Sequence, residues 1–236
     1  METNVSTNKM KIIGVVGFIG AGKDTAADYL VNFHEYQRES FASSLKDAVS
    51  AIFGWPRELL EGRTTESRAW REQVDHWWAN RLGIPHLTPR WILQHWGTEV
   101  IRQGFHDDMW IASIENKLRN IDHDVVITDC RFRNEIQAIK NQGGKIIWVQ
   151  RGPIPHWYDI AARANSGDSK ALKWLQDNNI HASEYSWAGT EFDKVIVNND
   201  SLEHLCSQLR NLVEESFAST ATYSDTLPDN SLSTQS

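Results

Sequence analysis

Residues 14–30 read GVVGFIGAGKDTAADYL, and how this run is understood decides the rest of the chain. Gly17, Gly22 and Lys23 stand at the spacing of a phosphate-binding loop, G-x-x-x-x-G-K. Asp24 takes the place of the usual Ser or Thr, and Thr25 follows one position later. Ahead of the loop, Lys11 to Val16 is a short β-rich run ending at glycine, as a buried parallel strand would. Behind it, Ala26, Ala27, Leu30 and Val31 fall on one side of a helix beginning at Lys23. Strand, glycine loop and helix are the context the motif requires, which weighs against a glycine-rich turn with a chance lysine. In such a loop backbone N–H groups turn inward around a phosphate, and the helix adds its positive end. The backbone of Gly20, Ala21, Gly22 and Lys23 would cradle a donor nucleotide, and Lys23 would reach its β- and γ-phosphates. Asp24 could hold Mg²⁺ directly or through water, since magnesium favours carboxylate oxygen. Thr25 could contact the α-phosphate.

The chain has 236 residues, enough for one α/β domain with insertions. Its net charge is −7, but the last 23 residues hold four acids and no base; without them 24 Lys+Arg face 27 Asp+Glu. That near-neutral balance argues against a general nucleic-acid binder. The two cysteines, Cys130 and Cys206, make no disulfide framework. METNVSTNKM lacks the apolar core of a signal peptide, and no apolar run reaches the length of a membrane span. A cytoplasmic protein without membrane or nucleic-acid partners is expected.

Residues 1–10 read as a flexible arm, 11–215 as one catalytic domain, and 216–236 as a Ser/Thr-rich disordered tail. Within the domain, Tyr36–Phe41 suggests a second strand. Ser44 to Asp47 resembles a capping box opening a helix to Phe53. Residues 55–119 look like an all-helical insertion holding seven of the eleven tryptophans. Thr88-Pro89 is a clean helix start, continuing to about Gln103. Further strands are expected in HDVVITD, KIIWVQR and FDKVIVNN, with helices near 107–119, 132–141 and 201–215. Residues 152–190 are polar, with one helical piece, SKALKWLQD, and suit a lid that excludes water. Strand–helix alternation predicts a parallel sheet flanked by helices, with ligands at the carboxyl ends of its strands.

Asp129 ends the strand in VVITDCRFRNE, where it could hold a magnesium water or orient an acceptor; a structural ion pair is the alternative. Arg131 and Arg133 follow, and arginine forks onto phosphate oxygens. Arg133 could equally face solvent. Arg90 sits in a first helical turn, against the dipole, so either an anionic ligand or a salt bridge to an acid such as Glu99 should favour it. Arg151, at the lid's entry, could share the charge on a transferring group. Most tryptophans should be core; one of Trp70, Trp77, Trp78, Trp91 or Trp96 is a candidate to stack on a base. Asn199 and Asp200 fit a turn and helix cap as well as an adenine contact.

The loop GxxxxGKDT with the following TAADYL resembles the bacteriophage deoxynucleoside monophosphate kinases. FASSLKDAV, RWILQHWGTEVIR, TDCRFRNE, HASE and DKVIVNNDSLEHL extend that resemblance, in family order, across residues 11–213. It implies a P-loop kinase fold with a helical acceptor-binding insertion and a lid, using ATP and Mg²⁺ to phosphorylate a dNMP. It places Lys46 and Arg90 near the acceptor and makes His181, Ser183 and Glu184 candidates for site contacts. The dNMP-binding set is then Lys46, Arg90, Asp129, Arg131 and Glu184; the catalytic set is Lys23, Arg131, Asp129 and Arg151. Two departures stand out: Ile19, Gly20 and Ala21 carry no basic residue, and the 152–180 segment is long. Rival readings are a phosphomevalonate-like kinase, whose family shares Gly-Lys-Asp, and a non-kinase P-loop protein. A homodimer through the tryptophan-rich helices is open.

Overall fold

The computed structural model describes residues 10–218, so nearly all of the expected arm and most of the expected tail lie outside the described residues. Five strands form one parallel sheet in the order β2-β3-β1-β4-β5. They are β1 (Ile12–Val16), β2 (Gln37–Glu39), β3 (Val125–Ile127), β4 (Lys145–Gln150) and β5 (Lys194–Val197). β1 is central, with Ile13 opposite Val126 on one side and Lys145 on the other.

Side chains alternate across a strand. Ile12, Val16, Val125, Ile127, Ile146 and Trp148 therefore face one core. Ile13, Val15, Val126, Ile147, Val149 and Ile196 face a second. Helices α1 (Lys23–His34) and α12 (Leu202–Ala218) close the second face with Ala26, Ala27, Leu30, Leu205 and Leu209. The last helix thus runs three residues into the stretch read as tail. Helices α2 (Ser43–Phe53), α7 (Met109–Leu118) and α8 (Arg133–Asn141) close the first face with Leu45, Val49, Ile114, Ile136 and Ile139. Burial on both sides explains why β1, β3 and β4 read as continuous apolar runs rather than alternating ones.

The insertion is helical as expected: α3 (Arg57–Glu61), α4 (Thr65–Arg71), α5 (His76–Leu82), α6 (Pro89–His95) and then α7. Thr88 caps α6, its hydroxyl accepting from Trp91 N at 3.1 Å. The helix expected to run to Gln103 instead changes to π winding over Trp96–Gln103. Within that wider turn the Gly97 carbonyl accepts from Trp110 Nε1 at 2.9 Å. The tryptophans mostly fill the insertion's core, Trp55 stacking on Phe53 with centroids 4.4 Å apart.

The polar segment 152–190 is more ordered than its composition suggests. It forms α9 (Tyr158–Asn165), α10 (Ser169–Asp177) and α11 (Ala182–Tyr185), packed around Ala161, Leu175, Tyr185 and Ala188. Its apolar positions are few and dispersed among charged outer faces, so only α10 was legible. The segment also grips the phosphate-binding loop: Phe18 lies against Trp157, Tyr158 and Trp187, with centroids 4.9–6.2 Å apart.

Candidate active site

The loop after β1 bends where only glycine fits. Gly17 has φ +148° and Gly22 φ +98°. A Cβ on Gly17 would stand 2.4 Å from the Val149 carbonyl oxygen, and one on Gly22 2.4 Å from Asn198 Nδ2. Asn198 donates from Nδ2 to the Ala21 carbonyl at 2.9 Å, latching the loop to the end of β5. Ala21 N donates to the Phe18 carbonyl at 3.2 Å, while Gly20 and Thr25 are exposed at the loop's edge. Lys23 Nζ folds back and donates to the carbonyls of Gly17 (2.7 Å) and Phe18 (2.9 Å). Burial pushes the pKa of this ammonium down, and the nearby Arg131 cation pushes it further. An anion between Lys23 and Arg131 would relieve that repulsion.

One pocket joins Gly17 and Lys23 of the loop, Arg131 beyond β3, and Ser183, Glu184 and Trp187 of the 152–190 segment. The Arg131 guanidinium is exposed, with no hydrogen bond or ion pair among the described residues. Arg151 is exposed past β4 and does not line this pocket. Arg133 also lies outside it, its guanidinium 3.5 Å from the Ala188 carbonyl. His181 caps α11 through Ser183 N at 3.2 Å. Asn199 Oδ1 accepts from Gly152 N at 2.7 Å, fixing the start of the 152–190 segment.

Asp129 is committed differently from the expectation. Its carboxylate accepts from Ser40 Oγ (2.7 Å), Phe41 N (3.1 Å) and Ala42 N (3.1 Å). It thereby ties the end of β3 to the turn before α2. That tie replaces the expected capping box: α2 starts at Ser43 with no side-chain cap, and Ser44 Oγ pairs with Ser113 Oγ at 2.6 Å.

Asp24 is half of an ion pair. Its Oδ1 accepts from Arg38 Nη1 at 2.6 Å, and Arg38 also bonds Asp28 at 2.7 Å. The other Asp24 oxygen makes no hydrogen bond among the described residues, and the side chain is 61% exposed. No cluster of three or more His, Cys, Asp or Glu suited to a metal occurs among the described residues. This donor set fits a magnesium that keeps most of its shell as phosphate oxygen and water, taking at most one carboxylate contact from Asp24. It does not fit an all-protein metal cage.

Helix α2 and the insertion together gather a second set of cations. Lys46 Nζ donates to Glu61 Oε2 at 2.8 Å, and Arg57 bonds both Glu61 and Asp47. Arg90 pairs with Glu72 at 3.3 Å rather than with Glu99, whose partner is His95. The sequence reading missed Arg71. Burial lowers its pKa, and so do the neighbouring charges of Arg90 and Arg68; its Nε is buried without a hydrogen-bond partner among the described residues. Of the stacking candidates, Trp77 is 63% exposed and Trp91 lies flat on His95, with centroids 4.8 Å apart. None of the five lines the pocket, whereas Trp187 does.

Sequence comparison gives this geometry a context. The chain is 29% identical over 220 residues to the "Putative deoxynucleotide monophosphate kinase" of Acanthamoeba polyphaga mimivirus, covering 87% of this chain and 97% of that one. It is 27% identical over 180 residues to the "Deoxynucleoside-5'-monophosphate kinase" of Escherichia phage T5, covering 55% of this chain and 71% of that one. The chain is a homologue of these viral and phage kinases. No protein-family model matches it. Among solved structures, TT1252 from Thermus thermophilus superposes with a TM-score of 0.45 at 17% identity, over 87% of this chain and 97% of that one. Among the described residues no helix is long and apolar enough to cross a membrane.

Proposed function

We propose that the chain is a deoxynucleoside monophosphate kinase, moving the γ-phosphoryl group of ATP onto a dNMP to give dNDP and ADP. The observation that carries this is the meeting of the Lys23 ammonium and the unpaired Arg131 guanidinium in one pocket closed by lid residues. Two cations held together with no acid among the described residues bonded to either suit a transferring phosphoryl group. The names of the two viral relatives supply the acceptor class.

In this reading residues 11–215 work as one kinase unit, with 55–119 as the acceptor-binding insertion and 152–190 as the lid. The backbone of Gly20 to Lys23 cradles the donor phosphates, and Thr25 lies beside them. The open oxygen of Asp24 would hold a magnesium brought by ATP, which would supply charge neutralisation. A dNMP phosphate is largely dianionic near neutral pH, so its oxygen attacks in line without a general base. Catalysis is then positioning and charge neutralisation. Arg131 and Lys23 neutralise the group in flight, and Arg151 joins them if the lid entry moves inward. Asp129 acts by holding the Ser40–Ala42 turn, hence the start of α2 and Lys46. Lys46, Arg90 and Arg71 form the cationic side that an acceptor phosphate would meet, and Glu184 faces the acceptor from the lid.

The test is ADP release from Mg-ATP with dAMP, dGMP, dCMP, dTMP, their ribo counterparts and phosphomevalonate supplied singly. Turnover that requires a deoxynucleotide is expected. Turnover with phosphomevalonate alone, or slow release indifferent to every acceptor, would overturn the assignment.

A further inference from the structure

Glu135 plays no part in the chemistry described so far, yet it is 3% exposed at the start of α8. Its Oε2 accepts from the backbone N–H of Arg131 at 2.8 Å and of Phe132 at 3.1 Å. Its Oε1 accepts from Arg102 Nη2 at 2.5 Å. Arg102 sits at the end of the π-helical segment, its side chain 10% exposed and its guanidinium 4.6 Å over the Phe132 ring. Arg102 Nη1 reaches Asp107, and Asn134 Nδ2 reaches Asp108 Oδ1 at 3.1 Å. Every hydrogen bond to the Glu135 carboxylate among the described residues thus comes from a donor, and together they join two regions: the end of the π-helical segment and the backbone that presents Arg131.

We propose that Glu135 and Arg102 form a positioning lock that sets the Arg131 guanidinium in the phosphate pocket according to the state of the helical insertion. The lock rests on the kinase reading above for its catalytic consequence, but not for its structural one. A buried carboxylate joined only to donors stays in place while it is charged. Protonation turns one acceptor lone pair into a donor facing N–H groups, so one of the three bonds is lost. The groups facing Glu135 are Arg102 from the π-helical segment, Asp107 behind it, Asp129 and Cys130 at the end of β3, and the Arg131 loop. Burial pushes the Glu135 pKa up, with help from Asp129 and against the pull of the Arg131 and Phe132 N–H groups and of Arg102, to about 7. The lock therefore opens within the neutral range as pH falls, and Arg131 loses its fixed backbone.

Two measurements on the full chain test this. Hydrogen exchange at the Arg131 and Phe132 amides, normalised to intrinsic rates, should speed up as pH drops from 8 to 6 in the wild type. It should be fast and independent of pH in Glu135→Gln. Steady-state kinetics of the same variant should show kcat down about 10- to 100-fold with the KM for ATP little changed, as misplacement of a charge-bearing group predicts. The wild-type acid limb near pH 7 should disappear. Arg102→Lys, which keeps the charge but loses the fork, should fall between the two and serves if Glu135→Gln does not fold. Protected amides and a wild-type pH profile in a folded Glu135→Gln protein would overturn the lock. Exchange that behaves as expected in a protein without deoxynucleotide turnover would keep the lock and discard the kinase reading instead.

Discussion

The phosphate-binding loop and the helical insertion both concentrate cations, and they treat them in opposite ways. Lys23 rests on two neutral carbonyls of its own loop, and Arg131 has no partner among the described residues. On the insertion side Lys46 of α2, and Arg57 and Arg90 of the insertion itself, are each paired with an acid. The loop side can accept phosphate without breaking an ion pair. The insertion side must exchange a carboxylate for a phosphate, so its affinity is a difference between two pairings.

The largest test of that contrast is Lys23→Ala. Its partners are carbonyls that water can satisfy, so the fold should persist with an unfolding midpoint near that of the wild type. Turnover should fall about 10³-fold or more; near-normal rates in the folded variant would remove the loop from the mechanism. Gly22→Ala attacks the same region through the backbone. It forces a side chain into φ +98° against Asn198 and should cost about 1–3 kcal/mol. ATP binding, read by titration calorimetry, should weaken with it.

Glu61→Gln tests the insertion side. It frees Lys46, so the acceptor KM should drop several-fold while the KM for ATP holds; an unchanged acceptor KM would mean that Lys46 serves only the fold. The same variant has a pH signature. Burial alone would raise the Glu61 pKa, but hydrogen bonds and charge from Lys46 and Arg57 pull it down to about 2. A depressed carboxyl contributes stability above its unfolded pKa and loses it as pH falls. Urea midpoints of the wild type should therefore fall between about pH 4.5 and 2 more steeply than those of Glu61→Gln. The smallest effect is expected for Asn198→Ala, which removes the latch on the Ala21 carbonyl. A loss of about 1 kcal/mol and a modest rise in the KM for ATP should result.

What the sequence disclosed follows the reach of each interaction. Gly17, Gly22 and Lys23 were legible because a loop around phosphate is built from neighbours in the chain. Strands β1, β3 and β4 were legible because burial on both faces leaves unbroken apolar runs. The tie that Asp129 makes was not legible, since its donors, Ser40, Phe41 and Ala42, lie 87–89 positions away. Asn198 escaped notice beside Asn199 because its carbonyl partner, Ala21, is 177 positions distant. The insertion's arginines were half seen. Arg90 drew attention by opposing a helix dipole, whereas Arg71 sits unremarkably at a helix end and is exceptional only in the company it keeps.

The strand order also bears on how the chain is made. β1 finds its neighbours in β3 and β4, and β2 bonds only to β3. An emerging chain therefore carries the apolar strand Ile12–Val16 past about 110 further residues before a partner exists. At roughly 5–20 residues per second on the ribosome, that wait is on the order of 5–20 s. During it, a sticky strand and the tryptophan-rich helices share the same unfinished molecule. The segment around β3 that completes the candidate pocket is also the one that ends this exposure, so nascent-chain solubility should improve sharply once Val125–Ile127 has cleared the exit tunnel.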